Sequence, residues 1–192
     1  MMINLAVQLL ATQLNQHLRR VYDLSEDMVV VSNLLDMDGS ISPNINNKLV
    51  IYLTNIEKDS VSRRSPGALE FGERAVQSSA GLHFNLYVML TANFSGTNYA
   101  EALKFLSSTI SFFQRNPLFT HQNTPDMDRR IEKLILDIEN LSIQDLSNLW
   151  SALGGKYMPS ILYRIRMVTF DAEEISGRQP VVTMPKPFVG SD

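Results

Sequence analysis

The stretch 141–170, LSIQDLSNLWSALGGKYMPSILYRIRMVTF, admits few folds, because one periodicity stops at a glycine pair and another starts just beyond it. Ser142 followed three residues later by Asp145 is close to a capping box, in which a side-chain oxygen takes up an orphan amide of the first turn. Leu146, Leu149, Trp150 and Leu153 then recur at helical spacing, a stripe that has to pack on something. Gly154-Gly155 supply a positive-φ stop, and Pro159 keeps the helix from restarting. From Ser160 the period drops to two. Ile161, Tyr163, Ile165 and Met167 point one way, and Leu162, Arg164, Arg166 and Val168 the other. One face is therefore core. The second carries two arginines in an apolar row, a scaffold strand with a charged face to offer a partner.

The rest of the chain supplies more of both periods. Ile3, Ala6, Val7, Leu10, Leu14, Leu18 and Val21 form a helical stripe, with Arg19 and Arg20 near its C-terminal dipole. Gln8, Gln13, Asn15 and Gln16 interrupt that stripe regularly, so it reads as a packing helix and not as a signal peptide or membrane anchor. MVVVSNLL at 28–35 is a short β-type run, and NKLVIYLTNIEK at 47–58 is a strand with both faces apolar. GLHFNLYVMLTANF at 81–94 alternates most regularly and belongs in mid-sheet. A second helix at 99–115 shows Tyr99, Ala102, Leu103, Leu106, Ile110 and Phe113, widened by Phe105 and Phe112, and Asn116-Pro117 ends it. A polar linker at 121–130 leads to another strand at 131–138.

Two segments break the pattern. Residues 60–80 are polar, carry Arg63, Arg64 and Arg74, and have Pro66-Gly67 in the middle. They are either a surface loop or a segment that orders on a partner. Beyond Phe170, DAEEISGRQPVVTMPKPFVGSD has three prolines and a β-type patch at Val181 and Val182, and reads as an extended arm. The expected organisation is one α+β domain at 1–172, an antiparallel or mixed sheet flanked by two to three helices, with the arm at 173–192.

A formal charge of −3 gives no electrostatic reason to expect nucleic acid or an anionic membrane as partner. No apolar run approaches the roughly 20 residues of a membrane span. The absence of cysteine excludes disulfides and thiolate chemistry and suits the cytoplasm as the place of synthesis. One signal is enzyme-like. VVVSNLLDMDGSIS resembles the first motif of haloacid-dehalogenase-type phosphatases, with Asp36 as nucleophile, Asp38 as acid/base, and Thr54 in the phosphate-binding position. Too few residues separate Asp38 from Leu49 for a crossover helix between parallel strands, so a simple turn at Asp38-Gly39 is the expectation. His17, His83 and His121 lie in unrelated segments without metal-ligand spacing. No catalytic, metal or cofactor-binding residue is therefore expected, and a peptide-binding adaptor stays open beside the phosphatase.

At KLVIYLTNIE, at LHFNLYVMLTANFSGTNYAEALKFLSSTISFFQRNPLF, and across 141–170 the sequence resembles a known family. It is similar to the Pvc-type N-terminal domain of cap or tail-terminator proteins of contractile injection systems, phage-tail-like particles such as the antifeeding prophage and type VI-like machines. The resemblance implies a tail-terminator fold and a non-enzymatic role. Such proteins form a hexameric ring on the distal end of the inner tube, stop its polymerisation and couple it to the sheath. The partners implied are further copies of the chain, the tube protein and the sheath protein, with no cofactor and no direct membrane insertion. Two hypotheses follow for contact residues. Arg164 and Arg166 supply charge to one subunit or tube contact, and the arm around Val181, Val182 and Phe188 adds to a sheet edge of a neighbour or of the sheath.

Overall fold

The interrupted stripe at the start of the chain folds as α1, Met2–Tyr22, and its buried line is Ala6, Val7, Leu10, Ala11, Leu14 and Leu18. Each fully buried leucine on that line contributes roughly 1.5–3 kcal/mol relative to exposure. Val21, expected on the same line, is exposed instead, because the chain leaves the helix there through Asp23 at positive φ. In the computed structural model, residues 2–36, 38–59, 83–154 and 156–169 are described. Arg63, Arg64, Arg74, Val181, Val182, Phe188 and the whole arm lie outside them.

After α1 come β1 (Val29–Val31), β2 (Lys48–Lys58), β3 (His83–Asn93), α2 (Tyr99–Arg115), β4 (Leu118–Thr120), β5 (Ile131–Glu139), α3 (Ile143–Ala152) and β6 (Ser160–Thr169). Among the described residues the strands form one mixed sheet in the order β1-β2-β3-β6-β5-β4. The α+β class and mixed sheet with three flanking helices agree with the sequence reading. So does the central position of β3, antiparallel to β2 on one side and β6 on the other.

The start of the sheet departs from expectation. β1 pairs parallel with β2, Val29 opposite Leu49 and Val31 opposite Ile51. The strand ends at Val31, seven residues before Asp38, which leaves room for a crossover. Residues 32–47 then make the crossover without an α-helix, using a 3-10 turn at Pro43–Ile45 and sending Leu34 and Ile45 into the core. β4 was not expected at all. It pairs Leu118–Thr120 with Lys133–Ile135 at the far edge.

Two cores flank the sheet. On one face α1 and α2 cover Leu49, Ile51, Leu86, Val88, Leu90, Leu134, Tyr163 and Ile165. The buried line of α2 is Ala102, Phe105, Leu106, Thr109 and Phe113, so Tyr99 and Leu103, expected inside, face out. Thr109 can occupy a core position because its hydroxyl donates to the Phe105 carbonyl at 2.9 Å. On the other face α3 and the 32–47 connection cover Val50, Tyr52, Met89 and Leu162 through Trp150, Leu34 and Ile45. The expected cap is present: the Asp145 amide donates to Ser142 Oγ at 3.1 Å, and Gly154 at φ 68° ends the helix.

Tyr163 is a polar misfit in the larger core. Its ring packs edge-on against Phe113 at 5.2 Å, beside Leu10, Val88 and Leu136. Its hydroxyl is buried with no hydrogen-bond partner, and burial holds its pKa far above the usual phenol value. An unpaired hydroxyl in such a place costs on the order of 1–3 kcal/mol. Tyr163→Phe keeps the ring and removes the cost, so urea denaturation should show a gain of about 1 kcal/mol. A loss would mean that the hydroxyl is bound.

Candidate assembly surface

The register of β6 decides what its charged side meets. Arg164 stands opposite Tyr87 on β3 and Asp137 on β5, and Arg166 opposite Asn85 and Ile135. Period two therefore puts Arg164, Arg166, Asn85, Tyr87 and Asp137 on the face away from α1 and α2, next to the patch that α3 covers, with Tyr87 packed against its edge. Arg164 lies 3.9 Å from Asp137 and 3.7 Å from Glu139, and Arg166 Nε lies 3.3 Å from Asp59. Both arginine side chains are a little over one-third exposed. The Arg164 pairs are long and wetted, so they contribute no more than about 1 kcal/mol.

Asp59 is different: its side chain is only 7% exposed, at the end of β2. The Arg166 contact is close enough for an ion pair but its geometry falls short of a hydrogen bond, since Nε has no hydrogen-bond partner. Beside it the Asn85 Oδ1 is also buried and unpaired. Further along, the Tyr87 hydroxyl donates to Glu57 at 2.9 Å, and that bond raises the Tyr87 pKa. The band thus holds four carboxylates, Glu57, Asp59, Asp137 and Glu139, around two guanidiniums. It is a mixed-charge surface, where the sequence had suggested a basic one. Asp137 and Glu139 were readable in principle, as acidic residues two apart in a strand; the register that brings them to Arg164 was not.

The turn at Asp36–Ser40 has little to hold a phosphate or metal. The Asp38 carboxylate accepts from the Ser40 amide at 2.9 Å and the Ser40 hydroxyl at 2.6 Å, and these bonds lower its pKa. The Gly39 amide closes the turn on the Asp36 carbonyl at 2.9 Å. Both carboxylates point to solvent. Thr54 is spoken for as well, donating to the Tyr87 carbonyl at 3.0 Å. His17 stacks on Phe112 and His121 Nε2 sits 2.9 Å from the Ile131 carbonyl, so they are far apart in role. Among the described residues no group of three or more metal-ligating side chains comes together.

The family described as the Pvc16 N-terminal domain matches residues 6–184. The chain belongs to that family. Among solved structures, the fold resembles the sheath/tube terminator of an extracellular contractile injection system, called PVC, in its extended state, at a TM-score of 0.56 and 15% identity. That match covers 95% of this chain and 63% of the other. It also resembles the tube-terminating cap of the anti-feeding prophage, at a TM-score of 0.50 and 14% identity, covering 92% of this chain and 59% of that one. The chain thus spans about three-fifths of the length of each. Among curated proteins none matches the sequence. What this chain shares with both solved structures is the fold, a mixed sheet with helices on its faces.

Proposed function

We propose that this chain is a structural cap: it forms a ring on the distal end of the inner tube of a contractile injection system, ends tube growth and joins tube to sheath. Membership of the Pvc16 N-terminal domain family over 6–184 carries the reading, and the likeness to two terminators supports it. The role is non-catalytic and needs no cofactor. In keeping with it, the Asp36 backbone and the Asp38 carboxylate close a surface turn. No helix among the described residues is long and apolar enough to cross a membrane, which suits a protein made in the cytoplasm and built into a particle.

A ring member needs two different surfaces, one for each neighbour, and a third for the tube. The mixed-charge band of β3, β5 and β6 fits one of these, because paired charges of both signs give register and specificity more than adhesion. Mass measurement of the purified protein, with electron microscopy, should show a closed ring of six. A monomer at all concentrations would overturn the reading. Reversing Arg164 and Arg166 together to glutamate should yield tubes of irregular length. Particles of normal length from that variant, folded by circular dichroism, would remove the band from the contact while leaving the ring intact.

A further inference from the structure

The outer edge of β2 is covered for only part of its length. β1 pairs with Leu49–Ile51 and goes no further, and the Ser32 amide makes the last bond, to the Ile51 carbonyl. The alternation of backbone groups then tells which residues face outward. Asp59 donates to His83 on β3, and β2 carries a bulge between Leu53 and Asn55. Leu53 before the bulge, and Ile56 and Lys58 after it, therefore turn their amides and carbonyls away from β3. Among the described residues no strand meets them. Two of these three side chains are apolar and open, Leu53 37% and Ile56 44% exposed, and Lys58 is exposed beside them. An edge of this kind templates further strands, and proteins rarely leave one bare.

We infer that residues 181–184 of the same chain close this edge as an additional strand antiparallel to β2. The exit of the chain favours it. Val168 of β6, His83 of β3 and Asp59 after β2 share one row, so β6 ends at the end of the sheet where β2 also ends. Reaching the far side of β2 means crossing three strand spacings, about 14 Å. Residues 170–180 can span roughly 36–40 Å when extended. A chain arriving there meets Lys58 first and runs back toward Leu53. The segment also has the right composition: Val181, Val182, Thr183 and Met184 are bounded by Pro180 and Pro185. Proline cannot continue a ladder, and prolines flank edge strands of just this sort. The family match, moreover, runs on past β6 to 184 and stops there, taking this segment into the domain. For a terminator the result is useful, because the new edge is only four residues long and bounded by Pro180 and Pro185, a poor template for another copy.

Amide hydrogen exchange tests this without assuming a register. In the full chain the Ile56 and Lys58 amides should exchange on the order of tenfold or more slowly than in a chain ending at Glu174. Mixing isotope-labelled truncated chain with unlabelled full chain should not restore the protection. Protection that survives truncation would assign the edge to residues 60–82, and fast exchange in both chains would mean it is bare. Restoration on mixing would assign it to a neighbouring copy. Each of these three results overturns the inference. If the truncated chain does not fold, Val182→Pro in the full chain gives the same readout. None of these outcomes depends on whether the protein forms a ring, which mass measurement reports separately.

Discussion

Replacing Asn15 with alanine is expected to cost about 3–4 kcal/mol, a large fraction of the roughly 5–15 kcal/mol that holds a domain together. Asn15 is 8% exposed on the core side of α1. Its Oδ1 accepts from the Met28 amide at 2.9 Å and the Val29 amide at 2.8 Å, and its Nδ2 donates to the Val29 carbonyl at 2.8 Å. These partners fix the orientation of the amide, since only an oxygen can face two N–H groups and only a nitrogen a carbonyl. The side chain thus ties the start of β1, a three-residue edge strand, to a helix that ends at Tyr22. Alanine leaves two amides and a carbonyl without partners in a mostly buried place, each worth about 1–3 kcal/mol, less whatever water recovers near Met28. Urea denaturation should show a lower midpoint at an unchanged slope. A loss below about 1 kcal/mol would mean that water replaces the clasp. Asn15→Asp should not rescue it, because a carboxylate cannot donate to Val29 and would be buried charged.

That clasp also explains which parts of the fold could be read in the sequence. Where a run was long and kept one period, the element was legible with its faces: α1, β3, α3 and β6 carry eight or more residues of clear pattern, whereas β2 and β5 were legible as strands but a bulge in each shifts the faces partway. β1 was legible as a β-type run at 28–35 but not in its three-residue length or parallel pairing, and β4, also three residues long, was not legible, because three residues have no period. β1 exists because Asn15, fourteen positions earlier, holds it, and β4 because β5 offers an edge. In α2 the apolar count was right but the rotation was not: Thr109 buries its hydroxyl by bonding its own helix, which frees Tyr99 and Leu103 to face out. Thr124 and Met127 are buried in the linker read as polar, because they close the end of the core by contact and not by period.

The candidate surface was legible to a lesser degree, and for a different reason. Arg164 and Arg166 announce themselves as charges on an apolar strand. Their partners depend on which residue stands beside which across three strands, and a shift of one would place Asp137 on the other face. Burial of Asp59 is likewise invisible in a sequence that ends its strand with Glu57, Lys58 and Asp59. At 181–184 the order is reversed: β-type composition between prolines is visible in the sequence, and the fold supplies an edge for it.

The second large effect is expected at Trp150. α3 buries only this residue fully, at 4% exposure, with Leu146, Leu149 and Leu153 half-buried around it. Its indole covers Val50, Tyr52, Met89 and Leu162 together with Leu34 and Ile45 from the crossover. Trp150→Ala should therefore cost about 3–5 kcal/mol, the transfer of a large aromatic surface plus the cavity left behind. Ile143, on the first turn of the same helix, is 89% exposed, and Ile143→Ala should stay within about 0.5 kcal/mol. The contrast separates packing from helix propensity, because alanine favours the helix at both positions. Trp150→Phe sharpens it further. The indole Nε1 is buried without a hydrogen-bond partner, so phenylalanine loses some area but also sheds an unpaired donor, and should retain most of the stability that alanine loses. If alanine and phenylalanine cost the same, α3 is held by its half-buried leucines. If both are neutral, the second core does not depend on α3, and the glycine-bounded helix at 143–152 serves a partner instead of the fold.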